Sequence, residues 1–375
     1  MKGSPSARAR LRLMRKGEGM PEPLIHDPFR EPLARIQLKV EEAIHTQASR
    51  AGGLWEVAWG NLLAVSRAPR HLLRPQLVLL GYAGAGGSSD DEAVIQFAAG
   101  VELLHLFMLV HDDLMDGGTQ RRGLPTLHVA LTRAAPHLPA SIIRSLTVVV
   151  GDLVHSRAVD IMTSAAWGKA GGAQACHFIF EGAERAGLGQ FSDLLGFSNL
   201  GDPPDAGEVF RGALLNKGAW HSVPAPLAAG MRLFSSSISV DQALAWGSHV
   251  GLALQGADDL ADLVTPSSVS GKDGLQDLRE GRLSLPLHLL RRNLTQSERT
   301  LMDEFPHMGV LTPTARRDLM DLLTRHRLVH IGVEFLLHEL DQATTLSSQW
   351  GGILGEGMSR VEQGLRRHIH SLEKG

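Results

Sequence analysis

Residues Glu92 to Asp116 read EAVIQFAAGVELLHLFMLVHDDLMD, a long apolar run that ends in an acidic cluster. Its apolar residues recur at three- and four-residue steps. That spacing predicts a helix from Glu92 to Met115, with Ser88-Ser89-Asp90-Asp91 as capping candidates ahead of it. The cluster Asp112-Asp113-Leu114-Met115-Asp116 has a twin, Asp258-Asp259-Leu260-Ala261-Asp262, which closes a second apolar helical stretch. On a helix the first and fifth residues of such a cluster lie about 40° apart, one turn above the other. Asp112 and Asp116 therefore point the same way, as do Asp258 and Asp262. Like charges at that spacing weaken a helix by about a few tenths of a kcal/mol, so two copies imply cations that neutralise them. If the two helices face each other, the carboxylates make an all-oxygen cage for a hard ion such as Mg2+ that bridges phosphates. One such cluster alone reads as a solvated helix end. Basic residues close behind both copies, Arg121 and Arg122 after the first and Lys272, Arg279 and Arg282 after the second, point to a metal-bridged anion, a diphosphate.

The rest of the chain carries the same period. It predicts helices over 33–66, 73–83, 139–166, 171–197, 206–230, 239–264, 284–293, 297–304, 313–325, 329–346 and 352–372. Strand alternation is almost absent, so the fold class is all-α. The Gly/Pro/Ser breaks at 200–205 and 265–275 are too short for domain linkers, which leaves one domain over 23–375 behind a basic leader over 1–22. The leader has two readings: a disordered start, with Met20 as an alternative first residue, or a basic tail touching anionic membrane.

Composition narrows the function. Lys+Arg 37 against Asp+Glu 40 gives a net charge of -3, and aromatic content is 5%, which gives no bulk case for nucleic acid. A single cysteine, Cys176, permits no intrachain disulfide and fits the reducing cytoplasm as a buried apolar residue. No uninterrupted apolar run of about 20 residues is present, so no transmembrane segment is expected. His368 and His370 lie two apart, on different faces of a helix, and are expected at the surface.

The motifs in combination resemble the trans-isoprenyl diphosphate synthases, or polyprenyl synthetases, over roughly residues 60–295. Glu102-Leu-Leu-His105, His111-Asp112-Asp113-Leu-Met-Asp116 and Arg121-Arg122-Gly123 are similar to that family's first aspartate-rich region. Gly151-Asp152-Leu153, Gly189-Gln190-Phe191-Ser192-Asp193, Lys217-Gly218-Ala219 and Gly271-Lys272 resemble its further elements, with Gly218 in place of a threonine. Gln255 to Asp262 is similar to its second aspartate-rich region.

The resemblance implies an all-α bundle around a central cavity, usually a homodimer. It implies that Asp112, Asp116, Asp258 and Asp262 surround Mg2+ ions, three to a site, with Asp113 and Asp259 as near partners. Arg121, Lys217 and Lys272 would contact an allylic diphosphate, and Gln190 and Gln255 would line the cavity wall. Arg74, His105 and Arg122 would take the diphosphate of isopentenyl diphosphate. His111 is expected as a hydrogen-bonded neighbour of the cluster rather than a ligand. Met108 lies four residues before Asp112 and about 6 Å deeper on the same face. With Phe107 it would form a floor for the growing chain, and one aromatic there resembles geranylgeranyl-type (C20) enzymes, with a farnesyl (C15) product open.

One segment departs from the family pattern. Where the family has G-G-K-R-x-R-P, this chain has Pro69-Arg70-His71-Leu72-Leu73-Arg74-Pro75, with His71 kept as a substrate contact in the lysine position. Arg70 or Arg67 could reach in for the lost charges. The erosion keeps two rivals open: a terpene synthase of the same fold that ionises without coupling, and a non-catalytic regulatory subunit.

Overall fold

The computed structural model describes residues 25, 27–48, 52–196, 206–264, 281–295, 298 and 312–373. Its helices are α1 (Arg30–Ala48), α2 (Leu54–Arg67), α3 (Leu73–Gly84), α4 (Glu92–Met115), α5 (Leu127–Ala134), α6 (Ala140–Ala166) and α7 (Gly172–Leu195). They continue as α8 (Ala206–Leu214), α9 (Pro224–Phe234), α10 (Asp241–Val264), α11 (Leu285–Asn293), α12 (Pro313–Arg325), α13 (Leu328–Ser347) and α14 (Gly352–Leu372). The fold is all-α, as the periodicity predicts. Contacts divide it into two compact units, Met1–His177 with Pro226–Ile238 and Phe178–Ala225 with Ser239–Gly375. The chain passes from one to the other three times, so neither unit is a contiguous half.

In the first unit α4 is central and packs on α1, α3 and α6. Asp91 caps it, accepting from the Ala93 N–H at 2.8 Å, and is itself fixed by Tyr82 Oη at 2.6 Å and Lys169 Nζ at 2.9 Å. Its length and apolarity would let it cross a membrane by composition, but 67% of its most apolar stretch is buried. Two glycines bring α4 and α6 together. A Cβ on Gly100 would lie 2.4 Å from Met162 Cγ, and one on Gly151 would lie 2.3 Å from His111 Nε2. Cys176 is buried, and burial pushes its thiol up, which suits packing rather than nucleophilic chemistry.

In the second unit α10 is central and packs on α11, α13 and α14. The buried Glu339 of α13 ties it to the segment ahead. Arg211 of α8 donates to both Glu339 oxygens, with Nη2 to Oε2 at 2.9 Å, and His249 Nδ1 of α10 lies 2.8 Å from Oε2. Farther along, Trp246 Nε1 donates to Glu362 Oε1 of α14 at 2.7 Å. His368 and His370 are exposed on α14, as their spacing predicts.

Several local features differ from the sequence expectation, among them the helix α5 (Leu127–Ala134), which no predicted helix covers. The helix predicted over 33–66 is two, because Gly53 at φ 68 turns the chain in a left-handed conformation that glycine tolerates. The helix predicted over 206–230 ends at Leu214, passes through a π-helical turn (Leu215–Ala219) and the short Trp220–Ser222 helix, and restarts as α9 at Pro224. Proline has no N–H to donate, and the first turn of a helix is where none is needed. A two-residue antiparallel pair, Gln120–Arg121 with Leu124–Pro125, is too short to leave a periodicity. The leader over 1–22 and most of 297–304 lie outside the described residues.

Burial would raise the Glu339 carboxyl, but hydrogen bonds from His249 and then Arg211 outweigh it and hold the group below its ordinary range. Its stabilising contribution is therefore present above the unfolded value of 4.5 and fades as pH falls through the lower, folded one. Glu339→Gln is expected to reduce unfolding free energy by about 2 kcal/mol near neutral pH. In urea unfolding that deficit should shrink in acid, and a deficit still complete at about pH 3 would contradict the assignment.

Candidate active site

The first acidic cluster sits where α4 stops. Asp116 is the C-cap, Gly117 follows at φ 65, and the Gly118 N–H bonds back to the Asp113 carbonyl at 2.9 Å. This left-handed glycine ending satisfies a terminal carbonyl and turns the chain out of the helix. The short hairpin follows, with register Gln120↔Pro125 and Arg121↔Leu124. Arg122 at φ 54 and Gly123 at φ 74 supply the two positive-φ positions of a type I′ turn.

The two arginines have different destinations. Arg121 Nε lies 2.8 Å from each oxygen of Asp113, and its Nη2 lies 3.2 Å from Asp112 Oδ2. Burial opposes the charge on Arg121, but Asp113, then Asp112 and Asp116, raise its pKa above the ordinary value. Arg122 Nη1 instead donates to the Val65 carbonyl of α2 at 3.2 Å. It lines a crevice with Arg70, Glu102, His105, Leu106 and Leu109. Arg74 is half-buried in the first turn of α3, whereas His71 is exposed and is not among the crevice residues.

The second cluster, on α10, repeats the division of labour seen in the first. Asp259 is buried; its Oδ1 accepts from Gln255 Nε2 at 3.0 Å and its Oδ2 from the Leu285 N–H at 2.9 Å. Asp113 is likewise buried, held by Arg121. Asp258 is exposed, and Asp112, Asp116 and Asp262 are half-buried. In each cluster the second aspartate faces protein while the first and fifth retain access to water. Among the described residues no three acid, His or Cys side chains are drawn together as a ready-made metal centre. The donor set still fits a hard cation. Carboxylate oxygens one helical turn apart suit an ion that keeps waters and takes few protein ligands.

A charge cluster of the second unit centres on a residue to which the sequence reading gave no role. Asp193 of α7 is 1% exposed and accepts from Lys217 Nζ at 2.7 Å, Arg282 Nη1 at 3.1 Å and the Leu283 N–H at 3.0 Å. The available signal was its place in Gly189-Gln190-x-x-Asp193. Lys217 lies in the π-helical turn, and Gly189 lets α7 approach it: a Cβ there would meet Lys217 N at 2.3 Å. Gly218, which replaces the family's threonine, makes room for Gln255, whose Oε1 would lie 1.6 Å from an added Cβ. Gln190 is half-buried beside Gly189, and Trp220 stacks under Arg185 at 3.9 Å. Lys272 lies outside the described residues.

Above the first cluster, Phe107 packs edge-on against His111 at 4.7 Å and His155 at 4.9 Å. Met108 is half-buried. His111 Nε2 lies 3.3 Å from the Val148 carbonyl and 3.8 Å from Asp152, so it addresses α6 as the expected hydrogen-bonded neighbour.

The model of the polyprenyl synthetase family matches residues 64–309, more than half of the chain, including both clusters. The chain belongs to the polyprenyl synthetase family. Among its relatives, geranylfarnesyl diphosphate synthase of Aeropyrum pernix is 29% identical over 229 residues, 60% of this chain and 68% of that protein. Octaprenyl diphosphate synthase of Escherichia coli is 27% identical over 215 residues, 57% of this chain and 60% of that protein. The crystal structure of geranylgeranyl pyrophosphate synthase of Corynebacterium glutamicum, complexed with isoprenyl diphosphate and magnesium, superposes with a TM-score of 0.75 at 20% identity. That match covers 91% of this chain and 97% of the other, and at this identity it speaks for the fold.

Asp193→Asn removes the carboxylate that two cations and one backbone N–H share. The substitution is expected to lower unfolding free energy by about 2–3 kcal/mol. Equilibrium urea denaturation measures it, and a change within experimental error would remove Asp193 as the hub of that cluster.

Proposed function

We propose that this polyprenyl synthetase is a divalent-metal-dependent prenyltransferase that condenses isopentenyl diphosphate with an allylic diphosphate. The observation that carries the reading is the repeated arrangement of the two clusters, each with a buried aspartate tied to protein and first and fifth aspartates that reach solvent one helical turn apart. On this reading Asp112, Asp116 and Asp258, with Asp262 nearby, hold Mg2+, which when bound neutralises the diphosphate as it leaves.

The chain's own residues do the rest. Arg121, oriented by Asp113, and Lys217, oriented by Asp193, bind the allylic diphosphate where its charge grows as the carbon–oxygen bond breaks. The alkene of isopentenyl diphosphate then attacks the allylic cation, and the adjacent proton passes to the departed diphosphate. The cation must meet the alkene before water, and apolar α4 residues such as Leu106 and Val110 support a dry environment. The relatives' names span geranylgeranyl to octaprenyl products, so chain length has to come from this chain's own residues. Phe107, braced by two histidines, supports a short product, geranylgeranyl diphosphate first and farnesyl diphosphate second. A homodimer is supported by the apolar side chains that α6 exposes at Ile142, Val148 and Val149.

Incubation with dimethylallyl, geranyl or farnesyl diphosphate should give longer diphosphates only when isopentenyl diphosphate is added. Hydrocarbons or alcohols formed without it would favour the terpene-synthase reading. Asp112→Ala and Asp258→Ala should each lower turnover by about 100-fold or more, and chelation should abolish it until Mg2+ is returned. Full turnover in either variant would sink the proposal. Phe107→Ala should shift products, resolved by mass spectrometry, toward longer chains.

A further inference from the structure

We infer that Arg70 supplies the cationic contact to the diphosphate of isopentenyl diphosphate that the altered segment before α3 has lost, with Glu102 holding it in position. This rests on the coupling reaction proposed above and names a binding residue for its second substrate. The family pattern has glycine at this position and puts its charges at the next two. In this chain those two positions hold a histidine and a leucine. His71 is exposed outside the crevice, and Leu72 is buried at φ 51 as the residue that starts α3.

Arg70 instead lines the crevice that also holds His105 and Arg122, the residues that the resemblance assigns to the second diphosphate. Its Nε donates to Glu102 Oε1 at 2.8 Å, its Nη2 to Gln37 Oε1 at 2.9 Å and its Nη1 to the Ser66 carbonyl. The side chains of Arg70 and Glu102 are 10% and 6% exposed, so the guanidinium is fixed before any ligand arrives. A guanidinium has more N–H donors than these bonds use. A pre-fixed fork also loses little conformational freedom on meeting phosphate oxygens. The alternative donor, Arg67, is engaged elsewhere, donating to Glu41 Oε2 at 3.0 and 2.8 Å, and is not among the crevice residues.

The charge balance agrees. Glu102 offsets one of the two guanidinium charges, which leaves the crevice cationic even with His105 neutral. Arg122 keeps part of its side chain in solvent, yet its guanidinium is pushed down to about 10, first by burial and then by the neighbouring charge of Arg70. A bound anion relieves that crowding.

Arg70→Ala should raise KM for isopentenyl diphosphate by about tenfold or more, with KM for the allylic diphosphate within about twofold. Arg70→Lys should recover part of the loss, since a point charge replaces the planar fork. An isopentenyl diphosphate KM that stays put in a folded Arg70→Ala enzyme would overturn the inference. So would a parallel rise in both KM values, the mark of a merely structural role. If the alanine variant does not fold, the lysine variant and wild type are compared by calorimetric titration with isopentenyl diphosphate, and equal affinities would overturn it. If wild type forms no product that depends on isopentenyl diphosphate, the coupling reading fails separately. Titration with inorganic pyrophosphate in the absence of metal then tests Arg70 alone: weaker binding by Arg70→Ala supports its role, and equal binding overturns it.

Discussion

The close approach of α4 and α6 governs the arrangement of the first acidic cluster. Gly100 on one helix admits Met162 of the other, and Gly151 on the other admits His111 of the first. A side chain at Gly100 would crowd Met162 and the Ala158 carbonyl, and one at Gly151 would displace the His111 ring. The side chains that α4 turns toward α6 follow from that approach. His111 reaches a carbonyl on α6, Phe107 lies against His155, and the aspartates emerge where the helix is stopped by Gly117. The acid pair, the aromatic above it and the arginine hairpin behind it are thus positioned by one contact made without large side chains.

Both clusters show how a protein tolerates adjacent like charges. The middle aspartate of each is buried and given donors, a guanidinium for Asp113 and an amide with a backbone N–H for Asp259. A buried carboxylate with such partners does not have to be neutralised by an ion. The outer aspartates keep access to solvent and remain suited to a hydrated cation. Arg121 and Lys217 follow the same logic in reverse, each anchored by a buried acid so that a flexible cation is held in one place.

Much of this was legible from the sequence because it is periodic. The boundaries of α4, α12 and α14 follow from apolar spacing and end signals, and the identity of the acidic clusters from residue type alone. What escaped had no period to read. The π-helical turn that carries Lys217 differs from α-helix by one residue per turn, and the hairpin has two residues per strand. Asp193 was visible as a motif member, but nothing in the string says that a carboxylate is met by Arg282, eighty-nine residues away. The crevice beneath Arg122 was half legible. The missing lysine and arginine were plain, whereas the choice between Arg67 and Arg70 depended on which one Glu41 already holds.

The tip of the hairpin has a consequence for how this chain can vary. Arg121 and Arg122 are neighbours in sequence yet serve different surroundings, because Arg121 ends the extended strand whereas Arg122 opens the turn at φ 54. Substitutions that tolerate the positive-φ turn leave that placement intact. A single inserted or deleted residue would change the two-residue turn and its register, and with them the directions in which the two guanidiniums leave the hairpin. The length of this loop is therefore under tighter constraint than its composition.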